Sequence, residues 1–429
     1  MAEAVRKRKN KGSYFDFTLL FILLFLLGFG LVMVYSTSSY SASLDYNGDG
    51  LYYLRKQLIS AMIGLVMMFS VIFLKFDIYK VLAPFAYGIS IILLLLVKSP
   101  LGHTAKGATR WIYIGGFSIQ PAEIVKIGVI MITAFLIIYL QNRDDIDNTS
   151  FKYIFIVLAP GILAAGLILF VTRNLSTAVI VGGIAFSMLI MSTPRCFKAY
   201  LLLILALIGI GLYVLFLYLT IHKTGDIGAL SKVGFRSERI LAWFNPEKYA
   251  DGKGYQTLQS LYGIGSGGVW GKGLGKSMQK LGFLPEAQND MIFSIICEEL
   301  GLFGGFAILL LFVLLLYRIL DIATLTKDFF GNMLVGGVFA HIAIQVIFNV
   351  CVVTNVMPNT GISLPFISYG GSSIIFLLTE MGIVMNVARY ADFTISPNVV
   401  KRTGEVKRAN LKKRRGMRVK QKEEGTEET

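Results

Sequence analysis

The sequence predicts an all-α polytopic membrane protein: ten transmembrane helices with one large extracytoplasmic loop between the seventh and the eighth. Three observations predict it. The 429 residues are 55% hydrophobic, only 16% charged, and have a mean hydropathy of +0.66, whereas a soluble domain averages about 25% charged residues. The charges are clumped. Between the clumps lie ten apolar stretches of the length that crosses a hydrocarbon core of roughly 30 Å. This excludes an ordinary cytoplasmic enzyme, a disordered chain and a disulfide-stapled secreted domain.

The stretches run in order as follows. The first, 17–35, comes after the basic cluster Arg6-Lys7-Arg8-Lys9-Asn10-Lys11 and is too long for the core of a signal peptide. Next come 57–74 and 81–97, separated by a short segment with Lys75 and Lys80. The fourth, 121–140, opens Gln120-Pro121-Ala122-Glu123 and continues to Lys126; 152–171, 174–192 and 200–221 follow. The last three are 291–317, 332–353 and 372–389. An even count puts both termini on one side, and the basic start and basic tail make that side the cytoplasm. The organisation expected is a cytoplasmic N-terminus (1–16), helices one to seven (17–221), an outer loop (222–290), helices eight to ten (291–390) and a basic cytoplasmic tail (391–429). Trp243, Tyr249, Tyr255, Tyr262, Trp270 and Phe283 give the outer loop enough aromatic surface to pack. The tail alternates Lys and Arg clusters before ending in Glu423 to Glu428; it is expected to be solvated near anionic headgroups.

Cys196, Cys297 and Cys351 lie far apart without ligand spacing and read as packing residues, so no metal site and no disulfide is expected. The formal charge of +15 belongs to no basic folded domain, which excludes nucleic acid as a partner.

Ionisable groups inside spans are the informative exceptions, because each costs about 2.5–3.5 kcal/mol at mid-bilayer by insertion scales. Glu123 and Lys126, at i and i+3, share a helical face and can pair, either as a structural ion pair or as the charged wall of a water-filled cavity. Glu298 and Glu299 lie in the eighth span, and Glu380 in the tenth. His341, Gln345 and Asn349 form a polar stripe along the ninth, for which interhelical hydrogen bonding is the plainer explanation. The run Gly263 to Ser277 ends Gly275-Lys276-Ser277 but has Trp270 where a phosphate-binding loop needs glycine, so it is a backbone built for close approach, with Lys272, Lys276 and Lys280 nearby. Asp290 stands at the start of the eighth span, where it serves either as a helix cap or, ionised at a helix N-terminus, as a reactive carboxylate.

Several ordered motifs decide among these readings. The run Pro358-Asn359-Thr360-Gly361-Ile362-Ser363-Leu364-Pro365-Phe366-Ile367-Ser368-Tyr369-Gly370-Gly371-Ser372-Ser373 resembles the signature of the SEDS family (shape, elongation, division and sporulation). So do Gly265-Ser266-Gly267-Gly268 with Gly271 and Gly273-Leu274-Gly275, Leu284-Pro285-Glu286-Ala287 with Asp290, and Arg110-Trp111 ahead of Gln120-Pro121-Ala122-Glu123 and Lys126. The likeness spans roughly residues 15–390 and leans to the division branch through Ser277-Met278-Gln279-Lys280 and Phe366-Ile367-Ser368-Tyr369. It departs from the family at Gln288-Asn289, where His-Thr is usual, and at Thr172-Arg173-Asn174, where Gln-Pro-Asp often stands.

The resemblance implies a peptidoglycan glycosyltransferase that polymerises lipid II at the outer face of the bacterial cell membrane, at the division septum. It implies Asp290 as the general base and Glu123 and Lys126 as organisers of the catalytic cavity. Arg110, Trp111, Lys272, Lys280, Glu286 and Ser368 are the expected substrate-binding residues, with Arg110, Lys272 and Lys280 chosen for the pyrophosphate by charge and side. The implied partner is a single-pass transpeptidase, a class B penicillin-binding protein, together with other division proteins. No cofactor is evident, though a divalent ion bridging Asp290 and pyrophosphate is compatible with the chemistry. Composition serves a lipid-linked precursor transporter equally well, and a non-enzymatic scaffold or an elongation or sporulation paralogue are the other readings.

Overall fold

The computed structural model describes residues 15–391 except 106–107, 115–116, 144–145, 195, 225–234 and 253. The basic N-terminal cluster and the tail from 392, on which the expected orientation rests, lie outside the described residues. The fold is that of an all-α polytopic membrane protein. Among the described residues, nine helices are long and apolar enough to cross a membrane. They are α1 (Phe17–Asp45), α2 (Tyr52–Ile72), α3 (Phe76–Leu96), α4 (Pro121–Gln141), α5 (Phe151–Leu167, prolonged by a π-turn over Ile168–Thr172), α6 (Leu175–Ser192), α10 (Ile292–Leu325), α11 (Phe329–Val353) and α12 (Gly371–Ala388). The remaining expected span, 200–221, lies within α7 (Phe197–Thr224).

Successive helices run in opposite directions, which gives the bundle two faces. One, the terminal face, carries Asp16 and Arg389. There the Asp16 side chain accepts the Leu19 N–H at 3.0 Å, capping α1, and takes the Arg318 guanidinium of α10 at 2.9 Å. Asn386 and Arg389, at the end of α12, donate to the last carbonyls of α2, among them Ile72 at 2.8 Å from each.

The opposite face carries irregular structure that hydropathy did not resolve. A three-stranded antiparallel meander lies between α3 and α4: β1 (Gly102–Ala105), β2 (Ala108–Ile114) and β3 (Phe117–Ile119), with Ile112 opposite both Gly102 and Ile119. The segment reads as a loop by hydropathy, yet the threonine, tryptophan, tyrosine and isoleucines of β2 are strand formers. α1 also outruns its apolar stretch and reaches about 43 Å. In its last turns the Thr37 and Ser38 hydroxyls are satisfied within the helix, bonding back to the Met33 and Val34 carbonyls at 2.8 and 2.6 Å.

The long segment between α7 and α10 contains α8 (Phe235–Phe244) and α9 (Tyr255–Gly267). Both dock on the end of α11 and the residues after it. Trp243 donates from its indole N–H to the Asn355 carbonyl at 2.9 Å, and the Ser260 hydroxyl to the Val353 carbonyl at 2.9 Å.

Candidate active site

α10 begins at Ile292 with Met291 as its N-cap residue, so Asp290 sits one residue ahead of the N-cap position. The turn before it is wound by the Asn289 N–H donating to the Glu286 carbonyl at 2.9 Å, with Glu286 itself at φ 57°. Three distant elements fix this turn. The Asn349 amide of α11 donates to the Asp290 carbonyl and to the Ile362 carbonyl, each at 2.7 Å. The Tyr369 N–H donates to the Gln288 carbonyl at 2.8 Å. Gly361, at φ 69°, passes so close that a Cβ there would stand 3.6 Å from Asp290 Oδ2. Asp290 is buried.

Two guanidinium groups gather on the same side. Arg239, from α8, donates to the Asn359 carbonyl at 3.1 Å, and Arg110, from β2, donates to the Thr172 carbonyl at 3.3 Å. That carbonyl is free because α5 ends there: Arg173 turns left-handed at φ 51°, and Asn174 caps α6 by accepting the Thr177 N–H at 3.2 Å. Burial pulls the Arg110 pKa below its ordinary value, and the nearby Arg239 charge lowers it further. Burial lowers Arg239 likewise, while the Asp290 carboxylate pushes back. Two half-buried like charges brought together, one of them near the Asp290 carboxylate, favour an anion between them. Nothing in the hydropathy or motif analysis singled out Arg239; its only sequence signal is a position in an amphipathic turn, Phe235-Arg236-Ser237-Glu238-Arg239, within the outer segment.

Glu123 and Lys126 pair at 2.8 Å, both buried. The pair opens a hydrogen-bonded chain across three helices. Ser373 of α12 donates to Glu123 at 3.3 Å, and Lys126 reaches Gln345 at 3.5 Å. Gln345 meets His341 Nε2 at 2.8 Å, and His341 Nδ1 meets Glu380 at 2.7 Å. Gln345 also donates to the Ser363 carbonyl at 3.0 Å, one residue from the carbonyl that Asn349 holds. The polar stripe of α11 is thus an interhelical network that anchors the loop around Asp290.

Lys272 and Lys280 are committed elsewhere. Lys272 pairs with Glu298 at 2.7 Å; Lys280 pairs with Glu299 at 2.8 Å and donates to Ser36 of α1 at 3.0 Å. Both carboxylates are fully buried, and Glu298 also accepts the Ser277 hydroxyl and the Met278 and Gln279 N–H groups. The glycine-rich run explains itself here. α10 breaks at Gly301 (φ 71°, ψ −176°), and residues 268–273 lie alongside the break: Lys272 N–H to Glu298 O at 3.0 Å, Gly273 N–H to Glu299 O at 2.9 Å, Leu302 N–H to Gly268 O at 2.9 Å. A Cβ at Gly271 would meet the Glu299 carbonyl at 2.3 Å.

Trp111 neighbours Arg110 on β2, so it projects from the opposite face of the strand. Glu286 bonds the Asn289 amide, and the Ser368 hydroxyl accepts the Leu364 N–H at 2.8 Å, so both brace their own loops. Cys196, Cys297 and Cys351 are free thiols. Among the described residues no three His, Cys, Asp or Glu side chains gather as a metal would require.

The family model for FtsW, RodA and SpoVE, described as cell cycle protein, matches residues 17–392. The chain is 37% identical over 379 residues to Stage V sporulation protein E of Bacillus subtilis, covering 88% of this chain and 98% of that one. It is 36% identical over 391 residues to the probable peptidoglycan glycosyltransferase FtsW of Trichlorobacter lovleyi, covering 90% and 96%. Among solved structures it resembles a chain from a peptidoglycan synthase complex studied for coordination of polymerization and crosslinking, with a TM-score of 0.67 at 25% identity over 88% and 99% of the two chains. It also resembles the rod shape determining protein RodA of Thermus thermophilus, with a TM-score of 0.61 at 25% identity over 88% and 98%.

Proposed function

The chain belongs to the FtsW, RodA and SpoVE family of cell cycle proteins, and from that membership we propose that it polymerises lipid II as a peptidoglycan glycosyltransferase with Asp290 as general base. The observation that supports this most directly is one buried carboxylate, Asp290, coupled to the half-buried Arg239, which is coupled in turn to the half-buried Arg110. The acceptor sugar hydroxyl attacks the anomeric carbon of the donor. A carbon–oxygen bond forms there as the bond from that carbon to the lipid pyrophosphate breaks. The hydroxyl proton passes to Asp290, and the leaving pyrophosphate carries the electron pair into the field of Arg110 and Arg239. A pyrophosphate needs charge neutralisation more than protonation, so a second carboxylate acting as acid, as in glycoside hydrolysis, is unnecessary. Arg239 takes the role that charge alone suggested for Lys272 and Lys280. Glu123 and Lys126 act at a distance, holding the loop through Gln345. A divalent ion would find one carboxylate at this site and would arrive with the pyrophosphate.

The face bearing the sheet and Asp290 is read as extracytoplasmic, where a single-pass transpeptidase would receive the strands. The division role rests on the motif likeness at Ser277 to Lys280 and Phe366 to Tyr369. A transporter remains the second reading, favoured by the buried chain from Glu123 to Glu380. Lipid II polymerisation by the full chain with its cognate transpeptidase separates the two. Asp290→Asn is expected to lower the rate by about 10²–10⁴-fold, the usual contribution of a general base, while lipid transfer across vesicles stays at the wild-type rate. Polymerisation at the wild-type rate in that variant overturns the mechanism.

A further inference from the structure

A row of tyrosines on the sheet-bearing face has no part in the reaction as written. Tyr46 ends α1, and Tyr52 and Tyr53 open α2 after a tight turn through Asn47 and Gly48 at φ 52° and 88°. The Tyr46 and Tyr52 rings stack with centroids 3.5 Å apart and planes at 15°. Tyr53 meets them edge-on at 5.8 and 5.4 Å, and meets Tyr369 edge-on at 5.0 Å.

Tyr369 ties the row to the candidate base. Its N–H holds the Gln288 carbonyl, two residues before Asp290. Gln57, one turn beyond Tyr53, straddles Tyr369 by donating to the Ser368 carbonyl at 3.2 Å and accepting the Gly370 N–H at 3.1 Å. Burial pushes the Tyr369 phenol up to about 12, so it stays a neutral hydroxyl at any working pH. At the outer rim the Lys56 ammonium lies 4.3 Å from the Tyr52 ring centroid, and Arg55 pairs with Asp49.

Tyrosines at a membrane surface ordinarily serve as an aromatic belt, each ring set against headgroups. Here the rings pack on one another, and Tyr369 belongs to the loop before α12 that holds the reacting turn. Together they offer a rigid surface of apolar ring faces and edges, phenolic hydroxyls and flanking cations. That is the chemistry that receives a pyranose, whose axial C–H groups form a flat apolar face rimmed by hydroxyls. Tyrosine provides it with only two torsions to freeze.

We propose that Tyr46, Tyr52, Tyr53 and Tyr369 form a saccharide-binding row that holds the glycan strand beside Asp290, with Lys56 meeting carboxylates borne on the strand. The ligand class rests on the glycosyltransferase reading above.

The test uses the full chain in lipid nanodiscs, titrated with two lipid-free tetramers. One is a neutral β-1,4-linked N-acetylhexosamine tetramer; the other alternates N-acetylhexosamines with their lactyl-carboxylate derivatives. Tyr46→Leu/Tyr52→Leu is expected to weaken binding of both by about 10-fold or more, roughly 1.4 kcal/mol. Tyr52→Phe keeps the ring and binds within about 3-fold of wild type. Tyr317→Leu, which removes a tyrosine 68% exposed on α10, binds as wild type. Lys56→Met weakens only the carboxylated tetramer, a selective loss that misfolding does not mimic. Equal binding by wild type and the double variant, or no binding by wild type, overturns the row and leaves an aromatic belt. Polymerisation of lipid II without tetramer binding removes the row alone. Tetramer binding without polymerisation removes the catalytic reading alone.

Discussion

At the scale of single residues, the cations near the sheet-bearing face divide into two kinds by their partners. Lys280 is buried against Glu299 and Ser36, so its charge is spent on holding the glycine-rich segment to α1 and α10. Arg239 is half buried, donates to the Asn359 carbonyl, and feels Asp290 and Arg110. The two should fail differently. Lys280→Met leaves Glu299 buried without its counter-charge, a loss of about 3–5 kcal/mol by analogy with broken buried pairs, and is expected to cut the yield of folded protein. Arg239→Ala is expected to fold at normal yield and lose about 10–100-fold in polymerisation, the scale of one charge-assisted contact to a leaving group. Normal yield for Lys280→Met with lost activity would return that lysine to the pyrophosphate. Asp290, Glu123 and Lys126 were legible in the sequence because each interrupts or borders an apolar run in a family motif. Arg239 was not, since an arginine in the outer segment, in an amphipathic turn and outside the family motifs noted, does not stand out from its neighbours.

At the scale of elements, the notable feature is a spanning helix opened to receive a loop. Gly301 breaks α10, and Gly271 brings the neighbouring strand of chain within backbone contact of the gap. Both residues have positive φ, 71° and 78°, and a Cβ on either would stand 2.2–2.3 Å from a carbonyl oxygen. Gly271→Ala and Gly301→Ala are therefore expected to abolish detectable folded protein, because the left-handed backbone alone costs about 1–2 kcal/mol and the overlap adds to it. Gly28→Ala in α1, with open space around the site, should be neutral or raise the thermal midpoint slightly, since alanine is about 0.5–1 kcal/mol better in a helix. Detergent-stable yield and thermal midpoint measure both, and folding of Gly271→Ala at wild-type stability would sink the account. The helices were readable from hydropathy, but the break was not: Glu298 and Glu299 precede Gly301 and Leu302 and Phe303 follow it, and a glycine inside a long span carries no sign of the loop that packs against it. The sheet was missed for the complementary reason: strands of three to seven residues leave little periodicity.

At the scale of the molecule, the antiparallel run of spans places Asp290, the meander and the tyrosine row on one face, with Asp16 and Arg389 on the other. The basic start predicts that the second face is cytoplasmic. Green fluorescent protein at the C-terminus should then fluoresce, and alkaline phosphatase fused after Lys98 should be active; the reverse pattern would place the proposed site on the wrong side of the membrane. Apolar length and ordered motifs are properties of neighbouring residues, so the membrane class, nearly every spanning helix, the family and Asp290 as the candidate base were legible in one dimension. The fold was needed to bring Arg239 near Asp290, to show where the lysines are spent and why the glycines are there, and to reveal that the α11 stripe holds the loop beside Asp290. Those depend on charges and backbones brought together from residues tens to hundreds apart, where desolvation and Coulomb energy are set by distance in space.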